Sequence, residues 1–350
     1  MGKAAREQLS RALNEHLNTI HETFQMLDQT PASSLEKVSW KEVIQMVGML
    51  YTGDNPGVKA LEENMSAYFN LLQGFLLLSH GSSIGAGPTL SSCIHKATKQ
   101  VVDSSFMLLQ EAVSSYGSPN KAQKLSIPQL VGTVWDACSA LKKTPPTNVT
   151  AIGRAMTQVA VSMKDVLREM KELKPADEAS GEVSTTEAED ISIDDENSCD
   201  GDMGNDLSPE EMKIVQLTTT LVSEMLVVIK ELIRSITGLL QTGNSDDSAI
   251  SVDSLEKLLK LCQGIGVQVD ELGACLYPPQ EISAIKVAVE KFSSFTNETE
   301  IEIRNLKCFT AEFSKVCTCL RSSLRQLESE LGCAGAGDLV PKLENLVVSN

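Results

Sequence analysis

The 350-residue chain carries 47 acidic and 30 basic side chains, which gives a formal net charge of −17 at pH 7. This length favours two domains over a single hydrophobic core. A net-negative chain without a basic stripe lacks the cations that neutralise phosphates, which argues against direct nucleic-acid binding. The nine cysteines have no CxxC spacing and indicate buried thiols in a reducing compartment.

Helical periodicity runs through the first half of the chain. Apolar residues recur three and four positions apart, and breaks rich in glycine and proline separate the runs. Helices are predicted near 2–28, 35–51, 58–79, 89–115, 127–141 and 148–173. The longest uncharged stretch, from Asn64 to His95, contains too many polar residues to span a membrane and predicts a buried helix.

An acidic segment without aromatic residues follows, from Pro175 to Ser208, and contains no lysine or arginine. It is too polar and self-repelling to bury a core, so we expect a disordered linker. A solvated spacer is the simplest interpretation, and attraction of basic protein surfaces is the alternative. Three hydroxyl residues have an acidic residue three positions later, as acid-directed kinases require. These candidate phosphorylation sites are Ser184, Thr186 and Ser192.

The helical pattern resumes at Ser208-Pro209-Glu210-Glu211, which has the spacing of a capping box with proline at the first helical position. Further helices are predicted near 209–241, 252–276, 280–296, 298–331 and 338–347. Long helices joined by short loops are typical of antiparallel bundles. We therefore predict an all-α protein of two antiparallel helical bundles joined by a disordered acidic linker. Its parts are the N-terminal bundle 1–174, the linker 175–208 and the C-terminal bundle 209–350.

Three helices carry long apolar seams with alternating spacings of three and four. The first seam consists of Val149, Ile152, Met156, Val159, Met163, Val166, Met170 and Leu173. The second consists of Leu255, Leu258, Cys262, Ile265, Val269, Leu272 and Leu276, and the third of Leu306, Phe309, Phe313, Val316, Leu320, Leu324, Leu327 and Leu331. Packing inside a bundle is the simplest interpretation, and sharing of a seam with a partner helix is the alternative.

Residues that usually carry catalysis or bind metals form no convincing pattern. His16 and His21 are five positions apart, which is not the spacing of a helical metal pair. The glycines between Gly81 and Gly87 lack the phosphate-loop pattern. A calcium loop aligned on Gly201 would end in leucine instead of glutamate. We expect no enzymatic activity, no cofactor and no metal.

Two segments contain more than periodicity. The first is Thr133-Val134-Trp135-Asp136-Ala137-Cys138, followed by Pro145, Asn148, Ala151, Met156, Met163-Lys164-Asp165 and Glu169-Met170. The second is Val269-Asp270-Glu271-Leu272, leading into Leu276-Tyr277-Pro278-Pro279. With the acidic insert between them, they resemble the cyclin-D-binding protein family, also called GCIP-type proteins. The first hundred residues match this family only in their helical character.

The resemblance implies a non-enzymatic regulator of the cytoplasm and nucleus. Members of the family bind D-type cyclins and antagonise helix-loop-helix transcription factors. We therefore expect negative regulation of the cell cycle or of transcription by sequestration of such partners. An adaptor or scaffold in the cytoskeleton or in membrane trafficking is the alternative function, because such proteins are often helical bundles.

The family-like motif residues have no catalytic role to carry over. Trp135 and Tyr277 are interpreted as large anchors that pack at helix ends, with the polar group of each ring bound to a partner. The full set of motif residues is Trp135, Cys138, Lys164, Asp165, Tyr277, Pro278 and Pro279.

Overall fold

A computed structural model describes residues 2–30, 58–116, 121–174, 207–240 and 251–337. All the long elements in these ranges are α-helices, so the all-α prediction is confirmed. The helices are α1 (Gly2–Gln29), α2 (Val58–Ser82), α3 (Pro88–Ser114), α4 (Lys121–Lys142), α5 (Asn148–Glu172), α6 (Pro209–Gly238), α7 (Val252–Ala274), α8 (Ile282–Asn305) and α9 (Ala311–Gly337). The predicted helices at 35–51 and 338–347 lie outside the described residues.

The helices group into two compact units. Unit 1 comprises Met1–Ile152 with Ser245–Glu256, and unit 2 comprises Gly153–Asn244 with Lys257–Asn350. The limits of the units therefore fall inside α5 and α7, whereas the sequence placed domain limits at the ends of the acidic segment. Residues 175–206 of that segment lie outside the described residues, so the disordered linker and the three-part domain division stay predictions.

Unit 1 is built on α1, α2, α3 and α4, with α1, α2 and α3 in mutual contact and α4 packed on α3. Helices α1 and α2 run in the same direction. The Gln8 side-chain amide donates to the Glu62 carboxylate over 3.0 Å. Seven to eight residues further along each helix, the His16 ring stacks on Phe69 at 4.7 Å. The core contains fully buried leucines and phenylalanines, among them Leu9, Leu72, Phe75 and Leu141.

The first turn of α3 is capped by side chains from distant parts of the chain. Its N-cap residue, Gly87, has no side chain, and its N–H donates to Oδ1 of Asn148 over 2.7 Å. The Asn148 amide in turn donates to the carbonyl of Gly85 over 2.9 Å. The N–H and the hydroxyl of Thr89 both donate to the Glu256 carboxylate, over 2.8 and 2.7 Å. A carboxylate here also interacts favourably with the helix dipole. We call these five residues the α3 clamp.

Unit 2 contains most of α5 and α7 together with α6, α8 and α9. Helix α9 packs on both α6 and α8. Lys213, near the start of α6, forms a 2.6 Å ion pair with Glu330, near the end of α9, so these helices are antiparallel. Lys257 of α7 forms a 2.6 Å ion pair with the buried Glu302 of α8, which shows the same relation for that pair.

The apolar seams are used for packing inside the protein. Every residue of the second seam is buried, and the third is buried except at two half-buried positions. In the first seam, Val159, Val166 and Leu173 are half-buried. The simplest interpretation of the seams is therefore confirmed, and α5 keeps part of its apolar seam in contact with solvent.

The predicted capping box at the start of α6 is present. The Glu211 N–H donates to the Ser208 hydroxyl over 3.2 Å, and the Ser208 N–H donates to the Glu211 carboxylate over 2.9 Å. These two bonds satisfy two backbone donors that a bare helix end would leave without partners. Chiefly because of the bond from the Ser208 backbone, the pKa of Glu211 lies below its usual value.

The predicted break between α8 and α9 is wrong in its position. The sequence indicated an end near 296, but α8 continues to Asn305 and α9 begins at Ala311. The chain turns at Lys307, which has a positive φ of 56°. The Thr310 hydroxyl then accepts from the Phe313 N–H over 3.0 Å and caps α9. The start of α4 also differs from the prediction, because Pro128 lies inside that helix.

Among the described helices, α6 is long enough and apolar enough to cross a membrane, judged by length and composition alone. Half of the apolar stretch of α6 is buried in the protein, and α6 packs on α9. A core helix of a globular protein can have the same length and apolar composition. Packing therefore accounts for the apolar character of α6, and the absence of a membrane span stays a prediction.

The capping box predicts a pH-dependent contribution to stability. Because the pKa of Glu211 is lowered in the folded protein, its carboxylate stabilises the fold above the unfolded value of about 4.3. This stabilisation is lost as pH falls through the lower folded pKa. We expect Glu211→Gln to lower Tm at pH 7, with a difference from wild type that shrinks below about pH 4. Glu210→Gln is the control, and an equal Tm difference at every pH would contradict the assignment.

The α3 clamp predicts that Gly87 does not tolerate a side chain. A Cβ there would lie 2.5 Å from Cγ1 of Val252 and 2.8 Å from the Glu256 carboxylate. We expect Gly87→Ala to lower the free energy of unfolding by about 1–3 kcal/mol in a denaturant titration. Gly132→Ala in α4, where nothing lies within 4 Å of the added Cβ, is the matched control and is expected to be neutral or stabilising. Equal stability of the two variants would refute the clamp.

Candidate protein-binding groove

Helices α5 and α7 approach each other closely in unit 2 because α7 has glycine at two contact positions. A Cβ added at Gly266 would lie 2.8 Å from Cγ1 of Val159, and one added at Gly273 would lie 2.8 Å from Cγ1 of Val166. The two valines are seven residues apart, as are the two glycines. The helices therefore run in the same direction with a constant register. Two parallel helices need a connecting segment that brings the chain back to the starting end, and α6 is part of that segment.

A groove of about 280 Å³ lies between the C-terminal ends of α5 and α7. We call it the α5–α7 groove. Its apolar residues are Val166, Met170, Leu173, Gly273 and Ala274, and its polar residues are Glu169, Asp270 and Tyr277. The half-buried Val166 and Leu173 of the α5 seam thus form one wall together with the buried Met170. A groove of this volume has room for a side chain of another molecule, and the short side chain of the exposed Ala274 leaves it open on the α7 side.

The polar lining of the α5–α7 groove is acidic. Glu169 lies on the α5 wall and Asp270 on the α7 wall, and both are exposed. Among the described residues, neither carboxylate has an ion-pair partner within 4 Å. Arg168 beside Glu169 is directed to Asp165, with its guanidinium 3.5 Å from that carboxylate. The groove therefore presents two negative charges and no cation from its own lining residues.

A second groove of similar volume lies between α7 and α8 and has a different character. Its charges are mixed, because Lys291 lies 3.9 Å from the Glu271 carboxylate, which also accepts from the Gln268 amide. Its thiol, Cys275, has a pKa raised by burial and by the neighbouring carboxylates of Glu281 and Glu271. The thiol therefore stays protonated near neutral pH and is a poor nucleophile.

The motif residues of the first segment occupy different environments. Trp135 is 60% exposed on α4, so the predicted role as a packing anchor is wrong. Cys138, one turn later, packs against the core of unit 1, and burial raises the pKa of its thiol. Lys164 and Asp165 are exposed on α5. They lie two residues and one residue before Val166, the first residue of the α5–α7 groove, and do not line it.

The second segment brings one predicted residue directly to the groove. Tyr277 lines the α5–α7 groove and is 44% exposed, so it does not act as a buried anchor. Pro278 and Pro279 follow in the loop that ends α7, where the peptide bond between them is cis. The predicted phosphorylation sites Ser184, Thr186 and Ser192 lie outside the described residues and stay predictions.

Sequence reasoning did not identify Val166, Leu173, Gly273 and Ala274 as members of a surface site. Val166 and Leu173 were assigned to a packing seam, and Gly273 and Ala274 were not singled out. The glycines at 266 and 273, spaced by two helical turns, were the available signal for close helix packing. In the part of the chain that the structure describes, no three His, Cys, Asp or Glu side chains come together as metal ligands.

The fold and the groove define a class: helical-bundle proteins that present an apolar groove with a charged rim. The comparisons with known proteins narrow the class. The family model described as Grap2 and cyclin-D-interacting, N-terminal, matches residues 41–176, and its C-terminal counterpart matches residues 192–301. The chain belongs to this family, GCIP. The α5 wall of the groove lies in the first matched region and the α7 wall in the second.

A curated relative supports the same assignment. The chain is 26% identical over 210 residues to the cyclin-D1-binding protein 1 homolog of Xenopus laevis. The aligned region covers 59% of this chain and 59% of that relative. The chain thus aligns with somewhat more than half of the length of this relative.

The glycine contact predicts that Gly273 is required for the packing beside the groove. Gly273→Ala would place a methyl group 2.8 Å from Val166, so we expect a loss of about 1–3 kcal/mol in the free energy of unfolding. Gly332→Ala in α9, with nothing within 4 Å of the new Cβ, is the control. The double variant Gly273→Ala with Val166→Ala should lose less than the sum of the single losses. Additive losses would contradict direct contact.

Proposed function

We propose that the protein is a non-enzymatic regulator that binds D-type cyclins. Membership of the GCIP family and the name of the Xenopus relative support this proposal. By holding its partner in a complex, the protein would limit cell-cycle progression. Binding of helix-loop-helix transcription factors, and action in both cytoplasm and nucleus, belong to the same proposal.

The observation that supports a binding role most directly is the convergence at the α5–α7 groove. Met170 and Tyr277 belong to family-like segments about a hundred residues apart in sequence, and both line the groove. Apolar residues in contact with solvent, rimmed by polar ones, mark many protein interaction sites. Since most residues of the apolar seams are buried by packing inside the protein, this groove is the surface that we assign to the partner.

The acidic segment would act in this function through its charge. Between Lys174 and Lys213 the chain has acidic residues and no basic ones. Such a segment attracts partners with basic surfaces at a range of about 10 Å at 0.1 M salt. Phosphorylation at Ser184, Thr186 or Ser192 would strengthen this attraction by adding negative charge.

The test is capture of purified D-type cyclin from the same organism by the full-length protein. Ala274 is an exposed groove residue at the last position of α7, so Ala274→Trp would fill the groove without disturbing the core. We expect the wild type to retain the cyclin and Ala274→Trp to lose at least about tenfold in affinity, equivalent to about 1.4 kcal/mol. A purified helix-loop-helix factor is tested in parallel.

Ala311→Trp is the matched control, because Ala311 is likewise exposed at a helix end but does not line the groove. Circular dichroism and Tm establish that both variants fold. Absence of cyclin capture by the wild type would refute the proposed function. Equal capture by wild type and Ala274→Trp would show that the partner binds elsewhere.

A further inference from the structure

We infer that the α5–α7 groove receives a short amphipathic helix of the partner, with basic residues on both flanks of its apolar face. This inference rests on the proposed function, because it specifies what part of a protein partner the groove recognises. It follows from three properties of the groove: its length, the size of the residues in it, and the position of its charges.

The length of the groove suits a helix of two to three turns. On α5 the lining extends from Val166 to Leu173, and on α7 from Asp270 to the end of the helix at Ala274. Seven residues of helix span about 10 Å, or two turns. A partner helix lying along the groove would therefore place one or two apolar side chains into it, at positions three or four apart.

The floor of the groove favours a large apolar side chain. On the α7 side, the exposed Ala274 contributes only a methyl group, whereas the space beside Gly273 is already filled by Val166. On the α5 side, Met170 lines the groove although it is only 2% exposed, and its flexible side chain adapts to the shape of its neighbour. Leucine, methionine or phenylalanine on the partner would fill this space and remove apolar surface of both molecules from water.

The charges select a basic helix. Glu169 and Asp270 stand on opposite walls, and among the described residues neither is engaged in an ion pair within the protein. A helix between the walls would meet a carboxylate on each side of its apolar face. Lysine or arginine on both flanks would form two ion pairs, whereas acidic flanks would meet like charges. The cations Lys171 and Lys174 on the α5 side do not line the groove.

The α7–α8 groove is a weaker candidate for the same occupant. Lys291 is one of its lining residues and interacts with Glu271. A basic helix there would face a cation and a carboxylate that already has a partner. The single sign of charge in the α5–α7 groove is therefore the feature that distinguishes it.

The experiment uses two synthetic helical peptides of about 14 residues that share one leucine-rich face. One carries lysine on both flanks and the other carries glutamate. Fluorescence anisotropy with the full-length protein measures their affinities at about 50 and about 500 mM salt. We expect the lysine peptide to bind about tenfold more tightly at low salt and to lose much of this advantage at high salt.

The variant Glu169→Lys with Asp270→Lys should reverse the preference, so that the glutamate peptide binds more tightly. The control is Glu290→Lys with Glu328→Lys, which makes the same change of net charge at two exposed positions of unit 2 outside the groove. Equal affinities of the two peptides for the wild type, or a preference unchanged in the groove variant, would overturn the inference.

The outcomes also separate this inference from the proposed function. Cyclin capture by the wild type without a peptide preference would refute the basic helix and leave the proposed function standing. A reversible peptide preference without cyclin capture would support the groove and refute the cyclin as its partner.

Discussion

The close approach of α5 to α7 at two glycines is the constraint on which the binding surface of unit 2 depends. Gly266 and Gly273 admit Val159 and Val166 into the space that a side chain would occupy. Because both contacts recur after seven residues, they fix the two helices in one register over two turns. Val166 and Gly273 also line the groove, together with residues at the C-terminal ends of both helices. The groove therefore adjoins the tightest contact between the two helices.

The charge of the groove and the charge of the chain have different physical roles. Most of the net charge of −17 comes from the acidic segment, because no base occurs between Lys174 and Lys213. Such a charge accelerates encounter with any basic surface and is screened by salt. Glu169 and Asp270 contribute only two charges, but they occupy fixed positions on either side of an apolar floor. Fixed charges discriminate between partners, whereas a diffuse charge mainly attracts them.

The sequence predicted features that depend on neighbouring residues and missed those that depend on distant ones. The helical character of the described segments, the seams and the capping box of Ser208 and Glu211 follow from spacings of three and four residues and were confirmed. The bonds from Thr89 to Glu256 join residues that are 167 positions apart, and no local pattern indicates them. Trp135 was predicted to pack as an anchor at a helix end because large aromatic residues are usually buried, yet its burial depends on whether another helix covers it, and it is exposed. The groove was missed for the same reason, since it exists only once α5 and α7 are neighbours.

The burial of the seams limits how a partner can be held. A zipper that shares a complete seam would require the protein to open its own core, at the cost of the apolar contacts that stabilise it. The half-buried Val166 and Leu173 avoid this cost because they already contact solvent beside Gly273 and Ala274. A partner segment of two helical turns buries less surface area than the roughly 1,200–2,000 Å² that is buried in a stable interface. Lasting sequestration therefore requires contacts around the groove as well, and the groove provides the centre at which a few anchor residues dominate the binding energy.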